Sequence, residues 1–226
     1  MPTALARLAR HLQLVIFDCD GVLVDSEVIS NAVLARALTE QGIPTTLAEA
    51  RRDYQGLLLA DIDARAQAKL GRPLAENWLE RYEHDRAAVF RRELWAVRGA
   101  AEAVKRIKAA GLLVCVASQG KLEKTRLSLS LTRLDALFPE EFLFSAHSVA
   151  RGKPHPDLFL HAAATMAVEP PRCAVVEDTP SGVTAAVSAG MRALGYTADS
   201  DEAGLRQAGA ETFSTLEELP AMLGIG

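Results

Sequence analysis

The segment Phe17-Asp18-Cys19-Asp20-Gly21-Val22-Leu23 sets two carboxylates one residue apart, directly after the apolar run Leu14 to Ile16. In an extended chain alternate side chains share a face, so Asp18 and Asp20 reach toward one spot while Cys19 turns the other way. Crowded carboxylates repel unless a cation or a shared proton relieves them, and an all-oxygen set suits a hard cation such as Mg²⁺. Gly21 permits the sharp exit that a strand end needs. Asp-x-Asp-Gly also occurs in calcium loops and in ordinary acidic turns. Val22, Leu23 and Val24 stand where an EF-hand loop requires oxygen ligands, which excludes that loop.

Three further positions carry polar chemistry at the end of apolar runs or in loops. Val114-Cys115-Val116-Ala117 delivers Ser118; Arg151-Gly152-Lys153-Pro154 places an ammonium in a loop; Val175-Val176 delivers Glu177 and Asp178. Each has a plain structural alternative. Ser118 is a possible N-cap for a helix starting near Lys121, Lys153 a solvated loop lysine, and Glu177 and Asp178 caps for a helix starting near Ser181. Co-location argues for a site: carboxylate pair, hydroxyl, ammonium and second carboxylate pair all fall on the ligand-binding edge of a parallel sheet. That set suits phosphoryl transfer. Asp18 attacks phosphorus, Asp20 protonates the leaving alcohol and then deprotonates water, Mg²⁺ and Lys153 neutralise phosphate oxygens, and Ser118 donates a hydrogen bond. Asp178, with Glu177 beside it, completes the metal site.

The elements that must position these groups are legible as periodicity. Leu14 to Phe17, Leu112 to Ala117, Ala174 to Val176 and Arg192 to Tyr196 are apolar on consecutive positions, as expected of strands covered on both faces. Helical patterns alternate with them: Ala100 to Ala110 before Gly111, Asp157 to Ala167, and Ser181 to Ala189 before Gly190. The alternation predicts an α/β fold, a doubly wound parallel sheet whose ligands sit at the carboxyl ends of the strands. From Ser26 to about Arg92 the rhythm breaks into helix-like patterns rich in Ala, Leu, Glu and Arg, divided by Gly42 to Pro44, Gly56 and Gly71 to Pro73 into roughly four helices. The expected organisation is a core over residues 1–25 and 93–226 and an inserted helical subdomain over 26–92.

Composition narrows the classes. The chain has 226 residues with 25 Lys+Arg against 29 Asp+Glu, a net charge of −4, and 49% hydrophobic residues, an ordinary globular make-up with no footprint for nucleic acid. The apolar runs are far shorter than the ~20 residues that cross a bilayer. Cys19, Cys115 and Cys173 are odd in number and lack C-x-x-C spacing, so they read as reduced core residues of a cytoplasmic protein. Met1 to His11 carries Arg7 and Arg10 and no acid; it reads as an N-terminal extension, with a loose likeness to a transit peptide as the alternative. His84, His147 and His155 have no spacing that suggests a metal site, and Trp78 and Trp95 are expected to pack helices.

Asp18-Cys19-Asp20-Gly21, Ser118, Lys153 in Gly-Lys-Pro, and Glu177-Asp178 within Val175-Val176-Glu177-Asp178-Thr179-Pro180-Ser181-Gly182 resemble, in that order, the four motifs of the haloacid dehalogenase (HAD) superfamily. The resemblance spans nearly the whole chain and is to phosphatases with a helical cap inserted after the first strand. It implies a Rossmann-like HAD core with a four-helix cap and catalysis through an aspartyl-phosphate. It also implies Mg²⁺ held by a carboxylate oxygen of Asp18, the main-chain carbonyl of Asp20 and the carboxylate of Asp178, with Glu177 assisting directly or through water. Dehalogenases lack the second aspartate and phosphonatases replace it, so Asp20 implies a C–O–P substrate. β-Phosphoglucomutases of this type carry a histidine where this chain has Ser30 and an arginine where it has Leu59. Both departures disfavour a mutase, which stays the alternative, with a noncatalytic Mg²⁺- and phosphate-binding regulator behind it.

Phe17 to Gly21 running on to Asp25-Ser26-Glu27-Val28-Ile29, with Phe138-Pro139-Glu140 and His161-Ala162-Ala163, is similar to the 6-phosphogluconate phosphatase branch. The implied partner is a small phosphorylated metabolite such as a sugar phosphate, bound by a monomer or weak homodimer. In the family the segment matching Tyr54-Gln55-Gly56 presents specificity residues, so Gln55 is a candidate for a sugar hydroxyl, against an ordinary turn with Gly56 as helix cap. Gln119 and Lys121, just past Ser118, are candidates for contact with the phosphate, Lys121 alternatively being solvated.

Overall fold

Continuous apolar runs form strands that are buried on both faces, and the central strands of this protein's sheet, Leu14–Phe17 and Cys173–Glu177, are of that kind. A computed structural model describes residues 12–225; the expected N-terminal extension, Met1 to His11, lies outside the described residues. Six strands, β1 (Leu14–Phe17), β2 (Leu113–Ser118), β3 (Leu143–Ser145), β4 (Cys173–Glu177), β5 (Arg192–Tyr196) and β6 (Glu211–Phe213), form one sheet in the order β3-β2-β1-β4-β5-β6. Every pairing is parallel. β1 and β4 have no exposed residue. That order places β1 and β4 side by side while the chain leaves β1 for β2 on the opposite side. The topology therefore opens a crevice outside the carboxyl ends of these two strands, where open α/β sheets bind ligands.

The chain divides into two compact units, Asp25–Trp95 and the remainder of the described residues. In the helical unit, α1 (Glu27–Glu40), α2 (Leu47–Tyr54), α3 (Leu59–Leu70) and α4 (Trp78–Glu93) enclose an apolar cluster that includes Leu34, Leu38, Ile43, Tyr54, Ile62 and Trp78. The indole of Trp78 donates to Asp63 Oδ1 at 2.7 Å, so its polar edge is satisfied inside the unit. Thr46 and Glu49 close a reciprocal capping box on α2. The second tryptophan departs from expectation: Trp95 lies beyond the end of α4 and is 75% exposed, with no helix of its own to seat it.

In the α/β unit, α5 (Ala100–Ala109), α6 (Leu122–Leu131), α7 (Asp157–Thr165), α8 (Pro180–Ser188), α9 (Glu202–Ala208) and the short α10 (Leu219–Met222) complete the chain. The three-residue strands β3 and β6 at the sheet edges escape the sequence pattern because they are too short for a run of apolar positions to register. The predicted helix Asp157 to Ala167 ends two residues earlier, and Ala167 takes a left-handed conformation at φ 55°. All three cysteines are free and buried. No helix among the described residues is long and apolar enough to cross a membrane.

Candidate active site

The turn after β1 is fixed by its own backbone. Asp18 N–H continues the ladder by donating to the Val176 carbonyl at 2.9 Å, and the Cys19 carbonyl then accepts from both Leu23 and Val24 at 3.0 Å. This tight return points Asp18 and Asp20 out of the sheet end. Gly21, at φ 75°, is demanded twice over: any other residue is strained there, and a Cβ at this position falls 2.2 Å from Asp178 Oδ2. The carboxylate following β4 thus lies directly against the turn following β1.

Lys153 is the centre of the cluster. Its ammonium donates to Asp18 Oδ1 at 2.5 Å, to Glu177 Oε1 at 2.6 Å and to the Ala117 carbonyl at 3.1 Å. These three acceptors match the three donors of an ammonium. They come from the ends of β1, β4 and β2, so one buried side chain ties three strand ends together. The Phe159 ring stands 5.1 Å from the nitrogen and adds a cation–π face. Burial opposes the Lys153 charge, but Asp18 and Glu177 outweigh it and hold its pKa above the ordinary lysine value. Burial pushes Asp18 up to about 7, against the pull of Lys153, with Glu177 and Asp20 adding like-charge repulsion.

Glu177 is fully committed. Besides Lys153, its Oε2 accepts from the Asp178 and Thr179 backbone N–H groups at 3.1 and 3.0 Å and from the Thr179 hydroxyl at 2.9 Å. Thr179 in turn caps α8 by accepting from Gly182 N–H at 3.1 Å. Gly182 leaves the room: a Cβ there falls 1.9 Å from the Glu177 carboxylate. The sequence groups Glu177 with the metal ligands, whereas the structure holds both of its oxygens in bonds to Lys153 and to the start of α8.

At the end of β2, buried Ser118 accepts from Gly120 N–H at 3.1 Å through Oγ, which leaves its O–H to donate elsewhere. Gln119 is tied to the neighbouring loop. Its Oε1 accepts from Lys153 N–H at 3.0 Å and its Nε2 donates to the Lys153 carbonyl at 3.4 Å, so the amide clamps the Lys153 loop. Lys121 occupies the N-cap position of α6. The lysine that bonds Asp20 is Lys124, in the first turn of α6, through Asp20 Oδ1. Gln55 is the C-cap residue of α2 in the helical unit. Asp18, Ser118, Lys153, Glu177 and Asp178 are therefore assembled at one sheet edge, with Asp20 beside them.

Two carboxylates beside a buried ammonium, at the end of a central parallel strand, form an arrangement fit to receive an anion and attack it. The haloacid dehalogenase-like hydrolase family matches this sequence over residues 12–190, which takes in all of these groups. The chain belongs to that family. Among other HAD proteins it is similar to the 6-phosphogluconate phosphatase of Escherichia coli K12, with 32% identity over 213 residues covering 94% of this chain and 95% of that one. It is 30% identical to hexitol phosphatase B of the same organism over 188 residues, covering 82% and 83%. The crystal structure of a HAD hydrolase from Deinococcus radiodurans R1 with bound phosphate and sodium shares the fold at a TM-score of 0.76 and 30% identity, covering 94% of this chain and 95% of that one.

Whether Mg²⁺ fits this HAD site can be tested on the donors present. Among the described residues no three His, Cys, Asp or Glu side chains group as a metal site on their own. The set implied by the family needs only two carboxylates, Asp18 and Asp178, plus the Asp20 carbonyl. The approach of Asp178 to Gly21 brings that second carboxylate to the turn that carries the first. Hard oxygen donors with excess negative charge suit Mg²⁺.

Proposed function

We propose that the protein is a Mg²⁺-dependent phosphomonoesterase acting on a small phosphorylated metabolite, of which sugar phosphates, 6-phosphogluconate among them, are the leading class. The observation that carries this reading is the Lys153 ammonium bridging Asp18 and Glu177 at the ends of β1 and β4. An anionic nucleophile attacking an anionic phosphate needs positive charge placed in advance, and that is what this buried lysine offers. The curated phosphatases of 6-phosphogluconate and hexitol phosphates support the substrate class.

Asp18 attacks phosphorus and expels the alcohol, whose oxygen takes a proton from Asp20. Asp20, now a base, takes a proton from water, which attacks the aspartyl-phosphate, releases inorganic phosphate and restores Asp18. Lys153 and the Ser118 hydroxyl steady the phosphoryl oxygens through both displacements. Asp18, Asp178 and the Asp20 carbonyl would hold Mg²⁺, which when bound supplies further charge neutralisation. Glu177 holds Lys153 and the start of α8. We assign residues 26–92 the role of a cap, with Gln55 helping to choose the leaving alcohol and Lys121 contacting the substrate phosphate. A monomer or weak homodimer in the cytoplasm suffices for this chemistry.

The test is a panel of sugar phosphates, nucleotides, 6-phosphogluconate and phosphoglycolate assayed with Mg²⁺. Hydrolysis of at least one ester is expected, lost on chelation and lost in Asp18→Asn by on the order of 10⁴-fold or more. Isomerisation of a hexose phosphate dependent on a bisphosphate would turn the reading to a mutase, and hydrolysis of nothing by folded protein would leave a binding regulator.

A further inference from the structure

Lys124 belongs to none of the motifs that carry the family resemblance. It is the third residue of α6, in the first turn, where a positive charge opposes the positive end of the helix dipole. Its side chain is only 12% exposed, and long charged side chains are seldom buried to that degree unless paired. Its partner is Asp20, 104 residues earlier in the chain and itself only 18% exposed at the side chain. The stem passes over the loop leaving β2, since a Cβ built at Gly120 comes 3.3 Å from Lys124 Cδ. The α/β unit thus gives each aspartate its own ammonium, Lys153 on Asp18 Oδ1 and Lys124 on Asp20 Oδ1.

We propose that Lys124 is a positioning residue for Asp20 and through it sets how well the enzyme expels poorly leaving alcohols. The inference rests on the phosphomonoesterase reading, in which Asp20 gives its proton to the leaving oxygen. A carboxyl that must deliver a proton to one atom is effective only when its plane is held, and misplacement of a catalytic group by a fraction of an ångström costs rate rather than affinity. An ammonium bonded to Oδ1 fixes that plane. The proton still moves from Asp20 to the departing alkoxide; Lys124 neither gives nor takes one.

The leaving group reads this out. For a covalent mechanism kcat/KM reports the steps through release of the alcohol, so Asp20's donation is visible there. In Lys124→Met, kcat/KM for the alkyl phosphate that the wild type hydrolyses best is expected to fall by about 10²-fold. For p-nitrophenyl phosphate, whose phenolate departs without a proton, the expected fall is less than about 5-fold. Lys124→Arg restores part of the alkyl rate. The ratio of the two rates within one preparation is insensitive to the fraction that is folded. Equal losses on both esters with a raised KM would overturn the inference and make Lys124 a phosphate ligand; an unchanged ratio with full activity would overturn it too. If the wild type hydrolysed neither ester, the phosphomonoesterase reading itself would fail and this inference with it.

Discussion

The two units of the chain treat charge in opposite ways. In the α/β unit Asp18, Lys153, Glu177 and Asp178 are all buried, bonded through one another and through strand-end backbone groups. In the helical unit the buried polar residues are Ser26 and Asn31, both uncharged, and ion pairs such as Arg36 with Asp85 and Arg81 with Glu40 lie on the surface. Buried charge is costly and survives only where partners are supplied, so its presence in one unit alone separates chemistry from shape. The helical unit is held by an apolar cluster and has no such cost to offset. The α/β unit carries the reactive groups, and its stability is tied to the bonds that hold them.

The difference can be broken deliberately. Lys153→Met leaves Asp18 and Glu177 buried without their shared cation and is expected to cost about 3–5 kcal/mol in a urea unfolding titration, along with the activity. A smaller effect of opposite sign is expected from Asp18→Asn in the absence of metal. Burial lifts Asp18 from 3.8 to about 7, so the folded state keeps a proton that the unfolded chain has already lost. That contribution to stability is full below the unfolded value and is lost as pH rises through about 7. The neutral asparagine escapes the loss and melts above the wild type at pH 8, by ~2–4 °C per kcal/mol relieved, with the gap narrowing toward pH 5. The smallest effect belongs to the helical unit: Arg36→Ala removes an exposed pair with Asp85 and is expected to cost less than about 1 kcal/mol. A cost at Arg36 equal to that at Lys153 would erase the distinction between the units.

How much of this was legible in the sequence follows the same division. β1 and β5 have the bounds their apolar runs predict, and β2 and β4 differ by a residue or two, because a strand buried on both faces writes its burial into consecutive positions. Asp18, Ser118, Lys153 and the Glu177-Asp178 pair stood out as polar residues at the ends of those runs or in a loop between them. β3 and β6 did not, being three residues each at the sheet edges. The bonds from Gln119 to the backbone of Lys153 join positions too far apart in sequence for spacing to show. Lys124 does not stand out in the sequence, because a lysine in a helix resembles any solvated one. Its position in the first turn, against the helix dipole, was the one available signal.

In the proposed mechanism Asp18 carries the phosphoryl group between the two displacements. Quenching the enzyme during turnover with borohydride reduces an aspartyl-phosphate to homoserine, which peptide mass spectrometry can place in the sequence. Homoserine is expected at position 18 in the wild type and none in Asp18→Asn. Turnover that leaves residue 18 as aspartate, or homoserine at another position, would contradict that mechanism.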